Sequence, residues 1–187
     1  MKRTLPLLAG LVAASAVTFA MTREAHALGP VDLEVGALAG VGTTPSNLPA
    51  GAVNPLGFGL GARGGVDVFG FYGGVKLMYY FGGSSGGFSD HSLSEGVDLG
   101  YNIKLAILTL RPMVGLGNFT ITESAGGAST NTGTFYVEPG VTALVSLGLI
   151  YVGADVNALL LTSLPQPTGG NGMDTALTIH GQVGLKF

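Results

Sequence analysis

Leu177-Thr178-Ile179-His180-Gly181-Gln182-Val183-Gly184-Leu185-Lys186-Phe187 puts Leu177, Ile179, Val183, Leu185 and Phe187 on one face of an extended chain and Thr178, His180, Gln182 and Lys186 on the other. Successive side chains of a strand point to opposite faces, so this stretch has oil on one side and water on the other. The same alternation recurs near residues 31–42, 56–68, 72–82, 93–103, 105–119, 134–147, 150–162 and 175–187. Each segment is about the 9–11 residues that a tilted strand needs to cross a bilayer, with some overhang. Their connections alternate in length. Phe69-Gly70-Phe71, Ile103-Lys104 and Gly148-Leu149 are tight, whereas 43–55, 83–92, 120–133 and 163–174 are long and rich in Gly, Ser, Thr, Asn and Pro. The pattern predicts an all-β fold: an eight-stranded antiparallel up-and-down transmembrane β-barrel, with short turns at one rim and four long loops at the other. An even strand count brings both ends of the barrel to the rim with the turns, expected to be periplasmic.

The beginning of the chain reads as an export signal. Lys2 and Arg3 precede an apolar stretch from Leu5 to Phe19, and Ala25-His26-Ala27 has the small-x-small form of a cleavage site. The expected organisation is a signal peptide over 1–27 and one barrel domain over 28–187. The apolar stretch falls short of the roughly 20 residues of a spanning helix, which argues against an uncleaved anchor. There is no cysteine, which excludes disulfides and an acylated lipoprotein cysteine. With the leader removed, five basic and ten acidic side chains remain, a net charge of −5, unlike a nucleic-acid footprint. Thirty-three glycines, only 10% charged residues and a mean hydropathy of +0.50 would leave a soluble exported protein short of surface charge. A wall facing lipid accounts for them.

Aromatic residues gather near strand ends. Phe69, Phe71, Tyr72, Tyr101, Tyr151 and Phe187 are expected to form a girdle at the turn rim, and Phe58, Tyr79, Phe81, Phe119 and Phe135 a second at the loop rim. The face opposite the apolar one carries both signs of charge: Glu34, Arg63, Asp67, Lys76, Asp98, Arg111, Glu138, Asp155 and His180, with Lys186 at the end. An eight-stranded barrel is just wide enough for its side chains to fill, and charges there must be paired. Arg63, Lys76 and Arg111 are expected to interleave with Glu34, Asp98, Glu138 and Asp155, Arg111 bonding Glu138 or Asp98. Inward Gly57, Gly59, Gly61, Gly115 and Gly153 leave room for a narrow or gated path. Pro139 falls on the outward face, where it deletes a ladder bond and predicts a bulge or a register shift.

With these features the mature chain resembles the eight-stranded OmpA/OmpX-type outer-membrane barrels over its whole length. The resemblance implies residence in a bacterial outer membrane, contact with its lipid and lipopolysaccharide, and an assembly signal for the barrel-insertion machinery in the last strand. Leu185 and Phe187 match that signal, with Gln182 where a glycine is commonest and Gly181 beside it. Nothing after Phe187 suggests the peptidoglycan-binding domain of the OmpA type.

No motif carries recognisable chemistry. Gly59-Leu60-Gly61-Ala62-Arg63-Gly64 has the G-x-G-x-x-G form but lies inside an alternating strand rather than between a strand and a helix. Asp90-His91-Ser92 sets triad residue types side by side, where immediate neighbours do not line up base with nucleophile. His180 shares its face with carboxylates and reads as a satisfied interior histidine or a pH-sensitive partner. Asn118-Phe119-Thr120 is a sequon in form only. A lipid deacylase would need an outward His, Ser and acid, and past residue 27 the histidines are His91 in a loop and His180 facing inward. No catalytic residue, cofactor site or metal site is assigned, and no nucleic acid is expected as a partner. The expected function is a non-enzymatic structural or surface-interaction barrel with a plugged lumen, whose loops meet a surface partner. The alternative is a small diffusion or hydrophobic-solute transport barrel, its wall thinned at Ala37, Ala39 and Ala62. A lipid-modifying enzyme stands behind both.

Overall fold

The computed structural model describes residues 31–46, 53–85, 87–162 and 173–187. The cleavage signature at Ala25 and Ala27 lies outside them, as do parts of the loops 43–55 and 163–174.

The described residues form ten strands: β1 (Val31–Gly42), β2 (Gly59–Val68), β3 (Phe71–Tyr80), β4 (Ser84–Ser85), β5 (Phe88–Tyr101), β6 (Ile103–Leu105), β7 (Leu108–Ala125), β8 (Ala128–Leu147), β9 (Ile150–Leu161) and β10 (Asp174–Lys186). All their pairings are antiparallel, and β1 pairs with both β2 and β10 while β5 pairs with β7, so the sheet closes. The two shortest strands are outgrowths of the hairpins, which leaves an eight-stranded barrel wall.

The register fixes its shape. Cα partners lead from Asp32 to Asp67, Tyr72, Gly100, Met113, Gly140, Asn157 and Thr178, and return to β1 at Gly42. One circuit thus climbs ten residues. At about 3.3 Å per residue against eight spacings of about 4.8 Å, that stagger is a strand tilt of roughly 40°. Every side chain on the circuit faces inward. Apolar residues such as Leu60, Val75, Leu77, Val97, Leu99, Val141, Val156, Ile179 and Val183 stand exposed on the outer wall.

At the end nearest Val31 and Lys186 the turns have two residues. Phe69 and Gly70 both have positive φ (54° and 89°), as the primed turns that match strand twist require. Gly148 (φ 72°) leads the turn to Ile150. The remaining turn is Ala106-Ile107, not Ile103-Lys104. β6 keeps the register of β5 against β7, and the strand is interrupted only at Asn102, whose N–H donates to the Gly70 carbonyl at 2.7 Å.

At the opposite end two expected loops are strand. Residues 120–133 continue β7 and β8 to the turn Gly126-Gly127, and 83–92 contain β4 and the start of β5, so Asp90-His91-Ser92 is ladder rather than loop. Their Ser and Thr content suggested solvated loops. Where both faces of a ribbon are wet, Thr can use its β-propensity without an apolar face. Cross-strand hydroxyls then bond one another, as Ser124 and Ser129 do at 3.0 Å.

Pro139 faces outward but makes no bulge. The β8–β9 ladder skips Glu138 and Pro139 and resumes with the same pairing, Val137 with Leu160 and Gly140 with Asn157. Proline removed a hydrogen bond without adding a residue.

Three aromatics expected in the girdles are inside: Tyr72, Tyr151 and Phe119 are at most 3% exposed. Each shares the strand parity of a buried charge, Tyr72 with Lys76, Tyr151 with Asp155 and Phe119 with Arg111. Parity overrides position near a strand end. Phe69, Phe71 and Tyr101 at one rim, and Phe58, Tyr79, Phe81 and Phe135 at the other, do face out.

Candidate functional site

The interior is the site that the fold builds. Glu34, Arg63, Asp67, Lys76, Asp98, Arg111, Glu138, Asp155 and His180 are all 5% exposed or less. Every strand of the wall contributes at least one of them, and alternation turns each inward.

Nearest the turns, Lys186 Nζ lies 3.0 Å from Asp32 and 3.1 Å from Glu34. Arg111 Nη2 donates to both Glu34 oxygens at 2.8 and 2.7 Å, its Nε donates to Asn102 at 2.6 Å, and its guanidinium carbon sits 3.7 Å from the Tyr72 ring centre. Arg111 therefore belongs to Glu34, not to Glu138 or Asp98. The tilt explains this: neighbouring strands are staggered, so residues at one height lie at different distances from their turns. Asp67 accepts Asn102 Nδ2 at 2.6 Å and the Gly70 N–H at 2.7 Å, tying the lumen to the β2–β3 turn.

At mid-height Arg63 bridges two carboxylates, Nε to Asp98 and Nη1 to Asp155, both at 2.9 Å. Asp155 also holds His180 Nδ1 at 2.6 Å, and His180 Nε2 meets the Tyr80 hydroxyl at 2.7 Å. In the tautomer that donates Nδ1–H to the carboxylate, Nε2 accepts a hydrogen bond from the Tyr80 hydroxyl. Lys76 pairs with Glu138, whose other oxygen accepts the Thr178 hydroxyl at 2.9 Å. Charge-assisted, multiply bonded groups of this kind hold a low-dielectric interior together, and removing one member leaves a charge unpaired.

Towards the loop end Leu38, Leu56, Met78, Phe119, Ile121, Leu159 and Leu161 pack in one buried apolar cluster, with Ser92, Ser94, Thr134 and Asp174 buried at the same height. Leu56 comes from the segment before β2, not from the wall.

The expected residues fall into two sets in space. Glu34, Asp67 and Arg111 join Asp32 and Lys186 near the turns. Arg63, Lys76, Asp98, Glu138, Asp155 and His180 cluster above them. Leu185 stands on the outer face of β10. Reading charges alone missed the neutral partners Asn102, Asn157, Thr178, Tyr80 and Tyr136, which share the inward parity of those charges. It also missed the apolar cluster, because Leu56 obeys no strand parity. Asp155-His180-Tyr80 is a proton-relay geometry without an approachable reactive group, each member being 2% exposed or less. No group of acidic and histidine side chains able to hold a metal occurs among the described residues.

The neisserial surface protein A has a similar structure, with a TM-score of 0.65 at 11% identity over 85% of this chain and 98% of that one. So does the N-terminal β-barrel domain of Pseudomonas aeruginosa OprF, with 0.56 at 12% identity over 83% and 97%. The fold is that of an eight-stranded outer-membrane barrel. Ail, the attachment invasion locus protein of Yersinia pestis, shares it (0.52 at 14% identity, over 84% and 97%) and has also been solved with the heparin analogue sucrose octasulfate. Neither a family model nor a curated protein sequence matches the chain. At such identities what the barrels share is the fold.

Proposed function

We propose that this protein is a non-enzymatic barrel of the bacterial outer membrane, its turns in the periplasm, that presents a polar β-sheet platform above the lipid. One observation supports the reading: ion pairs cross the lower lumen and an apolar cluster lies at its loop end, while β4, β5, β7 and β8 continue past the loop-rim aromatics as a polar sheet. Apolar outer walls between two aromatic rims match the hydrocarbon and its interfaces. Lipid and lipopolysaccharide would then surround the wall, and the last strand, with Leu185 and Phe187, would be read by the insertion machinery.

The platform's charge narrows its partner. All five basic residues past the leader, Arg63, Lys76, Lys104, Arg111 and Lys186, lie in the lumen or at the turn end, whereas Asp90 and Glu123 are on the platform. A polyanion of the kind seen with Ail finds no cation here. Thr120, Thr122, Ser129, Thr130, Asn131 and Thr132 offer hydrogen bonds suited to neutral sugars or a polar protein surface.

Single-channel recording across a planar bilayer, with refolded protein, tests the filled lumen. A silent membrane is the expected result. Steady openings of large unitary conductance would replace this reading with the diffusion barrel.

A further inference from the structure

Among the buried polar atoms of the lumen that have no hydrogen-bond partner in the described residues are Arg63 Nη2, Gln182 Nε2, Asp98 Oδ1, Asn157 Oδ1 and the Tyr72 hydroxyl. Donors and acceptors are both present. The Tyr72 hydroxyl lies over Gly65 and Gly74, and Asp98 Oδ1 over Gly115, where the wall offers no side chain to bond them. Buried polar groups are satisfied by protein or by ordered water, and groups of both kinds facing one lumen suit the second. Water reaching the mid-lumen would bond these groups. The apolar cluster at its loop end sets a boundary to that water.

One member of the boundary is not part of the wall. Residues 53–58 fold across the barrel mouth, and Leu56 is fully buried in the cluster. Its carbonyl accepts the Gly42 N–H at 2.6 Å, Asn54 Nδ2 donates to the Gly42 carbonyl at 3.0 Å, and Asn54 Oδ1 accepts the Leu56 N–H at 3.0 Å. On the opposite wall the Ser92 hydroxyl donates to the Pro55 carbonyl at 2.7 Å. Gly42 makes the seat: a Cβ there would lie 2.7 Å from Leu56 Cβ. Among the described residues the segment is thus fastened by single hydrogen bonds, the Phe58 carbonyl also accepting the Phe81 N–H at 2.8 Å, whereas the wall below is fastened by continuous ladders.

We propose that Leu56 is a removable stopper, latched by Asn54 and Ser92, that separates the polar lumen from the outside and opens it to water and small polar solutes when it swings out. This inference does not depend on the surface-platform reading. A plugged barrel and a stoppered one are equally silent at rest.

The absence of native cysteine makes the test clean. Ser94 is buried and lies one inward position deeper on β5 than Ser92, and cysteine is nearly its size. The refolded Ser94→Cys protein in vesicles is exposed to a charged, membrane-impermeant maleimide, and adduct formation is followed by mass, with Ser129→Cys on the exposed hairpin as the rate standard. The Ser94→Cys protein should react far more slowly than the standard. Adding Leu56→Gly should raise the rate at least about tenfold, and Asn54→Ala, which removes one bond to the wall at Gly42 and one within the segment, by about three- to tenfold. Retained β-sheet circular dichroism and heat-shifted gel migration verify folding, and Asn54→Ala serves if Leu56→Gly does not fold. A rate for the Ser94→Cys protein equal to the standard, with stopper and latch intact, overturns the proposal. So does a rate unmoved by stopper or latch variants that remain folded.

Discussion

Replacing Arg111 by Leu removes the cation that fastens the turn half of the lumen. Arg111 is 1% exposed and gives three hydrogen bonds, two to Glu34 and one to Asn102, besides its contact with the Tyr72 ring. Breaking one side of a buried ion pair costs about 3–5 kcal/mol, because the remaining charge stays desolvated. Two features of this site set the value near the lower end. Lys186 remains 3.1 Å from Glu34, and its side chain is 19% exposed, so Glu34 keeps one partner and some water. Loss of the cation–π contact adds on the order of 1 kcal/mol. The net expectation is about 3 kcal/mol. With a urea slope of about 2–3 kcal/mol per molar, the unfolding midpoint should fall by roughly 1–1.5 M. The assay is reversible urea unfolding from lipid vesicles followed by far-UV circular dichroism. Pairing Arg111→Leu with Glu34→Gln should recover part of the loss, since no unpaired charge is then buried. An unchanged midpoint in the single variant, or a double variant costing the sum of both singles, would refute the assignment of Arg111 to Glu34.

Further outcomes are expected from other parts of the molecule. Val75→Arg places a cation at the middle of the exposed face of β3 and should cost about 2–4 kcal/mol in vesicles if that face meets lipid; equal stability would contradict the membrane reading. On the platform, Asp90 pairs across the ladder with Glu123, and burial followed by the Glu123 charge pushes the Asp90 carboxyl above its ordinary value. Its folded form therefore binds protons more readily than its unfolded form, so the hairpin should be most protected at low pH and lose protection as pH rises through the raised value. Amide exchange of residues 120–132 should show this, and Glu123→Gln should flatten it; an unaltered profile in that variant removes Glu123 from the explanation. Deleting Phe187 should leave the exported chain in the periplasm, and normal membrane insertion of the truncated chain would dissociate that residue from assembly.

Alternation in the sequence determined the barrel because the side-chain period of a strand is two, and one period-two choice per segment settles which face turns outward. Leu177 to Phe187 and the segments like it needed no partner to declare their faces, and the inward position of Arg63, Asp98, Asp155 and His180 followed. Which charge meets which did not follow. Pairing depends on register and tilt, which carry Arg111 of β7 to Glu34 of β1 rather than to Glu138 on the neighbouring strand. The polar hairpins beyond the barrel rim were read as loops because local sequence reports wetness, and a ribbon wet on both faces has no alternation to display. Leu56 lay furthest from the sequence's reach. Its burial is set by a connection that folds over the mouth and by the space above Gly42, and only the closed barrel brings those together.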